Sequence, residues 1–198
     1  MKKFLICVLI LAAFSGVVFW FGWTEVKVKP GEVGIVTTKT DGVSDRYVQN
    51  GEFSWYWQFL LPTNAQIQKY SIEPRNTVKT ITGTLPSADY YSGYNFTYSF
   101  TYTISLTVEP QSIVNLIKLN RITNDDELTQ YLSNAADAVA QLTTNYLLTK
   151  LKDNPNYKIE SVRRDDILRA INLNREYPEI ELTIFAITDS KVPDFKLY

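Results

Sequence analysis

A chain of 198 residues with 45% hydrophobic residues has room for one ordinary domain, a real core and an appendage. It contains no histidine and a single cysteine, Cys7, which removes the commonest metal ligand, the usual general base near neutral pH, any intramolecular disulfide and any Cys-rich zinc site. The formal charge is -1, and Lys/Arg clustering stops at the Arg163-Arg164 pair, so the basic footprint of a nucleic-acid binder is missing.

The N-terminus carries the strongest signal. After Lys2 and Lys3, an uncharged run extends from Phe4 to Trp23, and about 20 residues is what a helix needs to cross a ~30 Å hydrocarbon core. Phe4, Leu5, Ile6, Val8, Leu9, Leu11, Phe14, Val17 and Phe19 supply the apolar bulk of this expected anchor. Trp20 and Trp23 stand at its distal end, where amphipathic rings favour the membrane interface. A cleaved signal peptide is the competing reading, because Ala13 and Ser15 form a loose small-x-small site. The apolar run continues past that site through Val17, Val18, Phe19 and Phe21, which favours an uncleaved anchor over residues 1–23. Cys7 lies too close to the start for a lipoprotein signal. Basic residues flank both sides, with Lys27, Lys29 and Lys39 beyond the run, so their count hardly separates the two orientations. The short Lys-led start favours a signal-anchor with a cytoplasmic N-terminus, which puts residues 24–198 on the extracytoplasmic side, the periplasm in a bacterium.

Beyond Thr24 the patterning predicts a domain of strands followed by helices. "EVKVKPGEVGIVTTKTDG" reads as two short strands broken by Pro30-Gly31, with a turn at Asp41-Gly42. An Asn50-Gly51 turn opens "NGEFSWYWQFLLP", and "IQKYSI" and "TVKTITG" read as further strands. A Tyr-rich loop over 86–93 leads to "YNFTYSFTYTISLTV", residues 94–108, in which aromatic and aliphatic residues alternate strictly with Thr, Ser and Asn. Such period-2 alternation predicts a long strand with one apolar and one hydroxyl face. Glu109-Pro110 stops it and opens a short helix with Ile113, Val114, Leu116 and Ile117 inward. A longer helix begins at "TNDDE", where Thr123 or Asn124 caps and Asp125, Asp126 and Glu127 complement the helix dipole. It ends at Asn154-Pro155, a third helix is predicted from about Ser161 to Leu173, and "EIELTIFAIT" is the final strand. That strand turns apolar on both faces at Phe185, Ala186 and Ile187, as a centrally placed strand would. The order predicts an α+β domain, mostly antiparallel, with helices packed on one face of the sheet.

Four groups of residues are candidates for function. The Thr/Ser row of the long strand suits β-augmentation or plain strand propensity; no sequence neighbour would activate its hydroxyls as nucleophiles. The segment containing Trp55, Tyr56, Trp57, Phe59, Leu60 and Leu61 is either core or a loop touching the membrane interface or another subunit. Asp165 and Arg169, at i and i+4, read as a solvated helix face with modest pairing. The acidic trio at 125–127 reads as capping, not as a cation loop. Phosphate-loop, G-x-S-x-G, H-E-x-x-H and G-x-G-x-x-G patterns do not occur. Asn95-Phe96-Thr97 is a glycosylation sequon, relevant only in a eukaryotic secretory setting.

Taken in order, these motifs resemble the SPFH, or band 7, family of stomatins, prohibitins and flotillins. "VKPGEVGIVTTKTDG" close behind an anchor is similar to the family's opening strand pair, and "NGEFSWYWQFLLPTNAQIQKY" to its Pro-Gly segment. "YTISLTVEP" resembles the family's strand ending in Asp-Pro, and "EIELTIFAITDSKVP" its closing strand. The similarity covers roughly residues 25–195. Departures are Asn50 for a common Pro, Phe53 and Ser54 where His is common, Ser105 for a common Arg, and Glu109 for Asp. Family members usually continue into a charged coiled coil, whereas this sequence stops at Tyr198, so a minimal version or a coiled coil from a partner is expected. The resemblance implies a non-enzymatic scaffold without cofactor or metal. It would self-associate at the membrane surface, as a homo- or hetero-oligomer, and organise lipids or a partner membrane protein such as a protease or channel. The alternative is an exported soluble binding module whose signal peptide is removed.

Overall fold

The computed structural model describes residues 2–24, 27–85 and 96–195. It is α+β, with an N-terminal apolar helix and antiparallel sheets. The expected sheet is two three-stranded sheets instead. They belong to two compact units, one formed by Met1–Glu73 with Glu109–Leu128, the other by Pro74–Val108 with Thr129–Tyr198. Pro74, which offers no N–H to a ladder, stands just before the strand that opens the second sheet.

In the first unit, α1 (Lys2–Gly22) precedes β1 (Glu32–Thr38), β2 (Gly42–Gln49), a 3-10 turn (Trp57–Leu60), β3 (Ala65–Ser71) and α2 (Pro110–Lys118). The sheet runs β2-β1-β3, antiparallel throughout. β1 is its middle strand and is buried on both faces: Val36 meets Val28 and Val48 on one side, while Val33 and Ile35 lie on the other. Of the two strands expected around Pro30-Gly31, only β1 forms among the described residues. Patterning did not predict β2, whose "GVSDRYVQ" is largely polar because this edge strand is mostly open to solvent. Gly42 and Gly51 take positive φ at the two turns that bound it. α2 packs on β2 with its four expected apolar residues buried, and Lys118 pairs with Asp45.

α3 (Asp125–Asp153) starts where its acidic trio predicts. Asn124, not Thr123, is the cap: its Oδ1 accepts from the Glu127 N–H at 2.8 Å, and the Glu127 carboxylate accepts from the Thr123 N–H at 2.6 Å. Asp125 also accepts from the Ser71 N–H at 2.9 Å, tying the helix start to β3.

The second unit holds β4 (Arg75–Thr84), β5 (Thr97–Val108) and β6 (Ile180–Lys191) in the order β4-β5-β6, with α4 (Arg164–Ile171) and α5 (Leu173–Glu176). The Tyr-rich loop, the first two residues of the predicted strand and the Asn of the sequon lie outside the described residues. The rest of the alternation is as expected. Phe100, Tyr102, Ile104, Leu106 and Val108 are buried, and Thr101, Thr103 and Thr107 are half-buried on the other face. α3 covers the aromatic face. The Thr144 hydroxyl donates to the Ala140 carbonyl at 2.8 Å, so the Tyr102 phenol donates to Thr144 at 2.7 Å. Lys79 reaches the same helix at Asp137 (2.7 Å) and Ser133 (3.2 Å).

β6 corrects its expectation, because it is an edge strand and not a central one. Its two-faced apolar run is only partly covered, and Ile184 stands exposed. Arg164 donates to the Leu182 and Thr183 carbonyls at 3.2 Å each. The predicted third helix is split, since Asn172 adopts the left-handed conformation (φ 48°) between α4 and α5. Asp165 turns to Arg164 (3.5 Å) rather than to Arg169.

Candidate membrane-proximal site

α1 is long and apolar enough to cross a membrane, with a mean hydropathy of 2.7 over its most apolar window, and an N-terminal signal sequence would pass the same test. Phe4, Leu5, Ile6, Val8, Leu9, Leu11, Phe14, Val17, Phe19 and Trp20 are all exposed along it. Apolar side chains run around all sides of the helix instead of forming one stripe.

The distal end of the helix behaves differently, because it is built into the first unit. The last carbonyls of a helix lack intrahelical partners; here the segment after Gly51 supplies them. The Tyr56 N–H donates to the Gly22 carbonyl at 2.9 Å, and the Trp55 indole N–H donates to the Phe19 carbonyl at 3.2 Å. In return Thr24, itself fully buried, donates both its N–H and its hydroxyl to the Ser54 carbonyl, each at 3.0 Å. Trp23 and Trp55 thereby form an antiparallel bridge. The indole of Trp55 lies so close over Gly22 that any β-carbon there would fall inside it, which makes this glycine a contact requirement. Phe53 closes the junction, stacked on Phe19 (centroids 5.9 Å apart) and tilted against Trp23 (6.2 Å).

The aromatic segment itself is divided, and neither expectation for it, all core or all interface, holds for every residue. Tyr56 and Phe59 turn inward onto the cluster of Val28, Val36 and Val48. The Lys27 ammonium sits 3.9 Å from the Phe59 ring centre, and partial burial lowers its pKa. Phe53 (60% exposed), Trp55 (38%), Trp57 (50%), Leu60 and Leu61 stay outside, beside the helix end. Small alternating steps around the 3-10 turn divide the residues, and no periodicity marks the division in sequence.

Sequence reasoning singled out Trp20, Trp23, Trp55, Tyr56, Trp57, Phe59 and Leu60, and all of them belong to this unit. It missed Gly22, Thr24, Phe53 and Ser54. Only Phe53 carried a signal, as part of the same uncharged aromatic cluster. Next to the junction lies a cleft of about 480 Å³, lined by Ser44, Arg46, Glu52, Trp55 and Tyr56 among others. Ser44 and Tyr56 hydroxyls meet at 3.3 Å within its lining. Among the described residues, no three or more Asp, Glu or Cys side chains converge as metal ligands. The arrangement offers an apolar aromatic surface and a polar cleft.

No family model matches the chain. It is similar to a Treponema pallidum (strain Nichols) protein carrying the name "Uncharacterized protein", at 21% identity over 194 residues. That similarity covers 93% of this chain but 65% of the relative, so the chain spans a little under two thirds of that protein's length.

Proposed function

We propose that this is a single-pass, membrane-anchored scaffold of the SPFH/band 7 kind, which self-associates at the membrane surface and organises lipids or a partner membrane protein such as a protease or channel. The observation that carries the seating of the first unit at the helix exit is the junction. Phe19, Gly22, Trp23 and Thr24 bond and pack with Phe53–Tyr56, so the end of the apolar helix is a working part of the first unit. These bonds begin at Phe19, beyond the small-x-small site at Ala13 and Ser15, so the uncleaved anchor is supported by the apolar run that continues past Ser15 through Val17, Val18, Phe19 and Phe21. The exposed rings of Phe53, Trp55, Trp57 and the side chain of Leu60 form a surface continuous with the helix exit. Trp and Tyr favour the lipid–water interface, which supports a domain seated on the bilayer. The scaffold role itself is supported by the ordered motifs that resemble the family, not by a catalytic site.

The test is the size of the full-length protein extracted in mild detergent, with its intact mass from the same sample. An uncleaved chain in a large homogeneous particle is the expected result. An uncleaved monomer would overturn self-association, and a shortened chain in the soluble fraction would hand the case to the exported binding module.

A further inference from the structure

The cleft beside the junction measures about 480 Å³, more than two clefts of about 330 and 240 Å³ in the other unit. Ligand sites typically measure roughly 300–1,000 Å³. Its lining comes from β2 (Ser44, Asp45, Arg46, Tyr47) and from the segment that clamps α1 (Glu52 to Tyr56). One wall is therefore held at the helix exit by the Thr24–Ser54 and Tyr56–Gly22 bonds. On the proposed seating of this unit, that is the depth of lipid headgroups.

The charges in the lining are unequal in status. Asp45 is already paired with Lys118, which holds its carboxyl below the usual range. The Arg46 guanidinium and the Glu52 carboxylate form no ion pair with each other or with other described residues, although both line the same cleft. Arg46 and Glu52, without an ion pair among the described residues and flanked by the rings of Trp55 and Tyr47, complement a ligand carrying one charge of each sign. Arg suits a phosphate through its planar fork of donors. A carboxylate beside aromatic faces suits an ammonium. An anionic headgroup would satisfy Arg46 but leave Glu52 facing like charge, which works against it.

We infer that this cleft binds the phosphate–ammonium headgroup of a zwitterionic phospholipid, with Arg46 on the phosphate and Glu52 on the ammonium. The inference rests on the membrane-seated reading above and gives it a lipid preference.

The full chain is reconstituted into nanodiscs of equal phosphatidylethanolamine and phosphatidylglycerol, and lipids retained on release are counted by native mass spectrometry. The expected result is retention of phosphatidylethanolamine about tenfold over phosphatidylglycerol, falling to near parity in Arg46→Gln and in Glu52→Gln, as loss of one charge-assisted contact predicts. Both residues are exposed, so neither change should disturb folding. Equal retention of the two lipids by the parent, or a preference that both variants keep, overturns the inference. If only added glycerophosphoethanolamine binds and no lipid is retained, the same chemistry serves a soluble ligand and the lipid assignment falls. The protein mass in the same spectra separates this outcome from failure of the anchor, which would show as a shortened chain.

Discussion

Two aromatic-rich stretches of this molecule meet opposite fates. In β5, Phe100 and Tyr102 are 0% exposed, whereas Phe53 and Trp57 stand 60% and 50% exposed beside the apolar N-terminal helix. Composition does not separate them; periodicity does. β5 alternates residue by residue, so the pleat sends every ring to one face, where α3 covers it. The stretch at 53–61 has no period, begins in extended chain and passes into a 3-10 turn, so its rings point in several directions. Two of them, Tyr56 and Phe59, find a core, and the others remain as surface. Rings that a sheet buries stabilise a fold; exposed rings beside an apolar helix end contribute little to it and stay open to contact.

The comparison can be broken most forcefully in β5. Phe100→Ala should cost about 3–5 kcal/mol, since it deletes a fully buried ring beneath a helix. Denaturant unfolding in detergent would read it, and membrane association of the folded fraction should be unchanged. Next in size, Gly22→Val should cost about 1–3 kcal/mol by forcing Trp55 off the helix end. Hydrogen exchange should then quicken at the Thr24 and Tyr56 amides, which the junction protects.

Tyr102→Phe removes only the hydroxyl bonded to Thr144 and should cost about 1 kcal/mol. It has a pH signature as well. Burial pushes the Tyr102 phenol from 10.0 up to about 12, with a smaller push from Tyr98. The folded state thus holds this proton more tightly than the unfolded chain does. Stability from this group is complete below pH 10 and is lost as pH rises from 10 to about 12. Unfolding midpoints across that window should fall less steeply in the Phe variant. Smallest in stability is Trp57→Ser, expected at about 1 kcal/mol or less because the ring is half exposed. Combined with Trp55→Ser it should weaken bilayer contact of the folded domain, and unchanged liposome binding by that folded double variant would remove the interfacial role.

Much of the fold was legible in sequence where its signals are periodic or local. The alternation of 96–108, the Pro110 start of α2 and the acidic first turn of α3 each have one structural meaning. What escaped was whatever depends on a distant partner. β2 is a polar edge strand that only its pairing with β1 makes visible. β6 looks central from its apolar run, but position in a sheet is set by neighbours. The division into two sheets turns on Pro74, a short link whose effect is clear only once both ladders exist. In the candidate site, the apolar helix and the aromatic segment were each readable alone. Their junction was not, because Gly22 and Trp55 are far apart in sequence and no pattern links a missing side chain to the ring above it.

All four tryptophans of the chain, Trp20, Trp23, Trp55 and Trp57, lie at this junction or just beside it. The most direct measurement uses that fact. Trp20→Phe/Trp23→Phe leaves Trp55 and Trp57 as the only indoles, and their fluorescence is followed in bilayers whose lipids carry bromine at shallow or deep positions. Strong quenching by shallow bromines and weak quenching by deep ones is the predicted result. Emission untouched by either would mean that the aromatic segment faces water, and the membrane-seated account would be wrong.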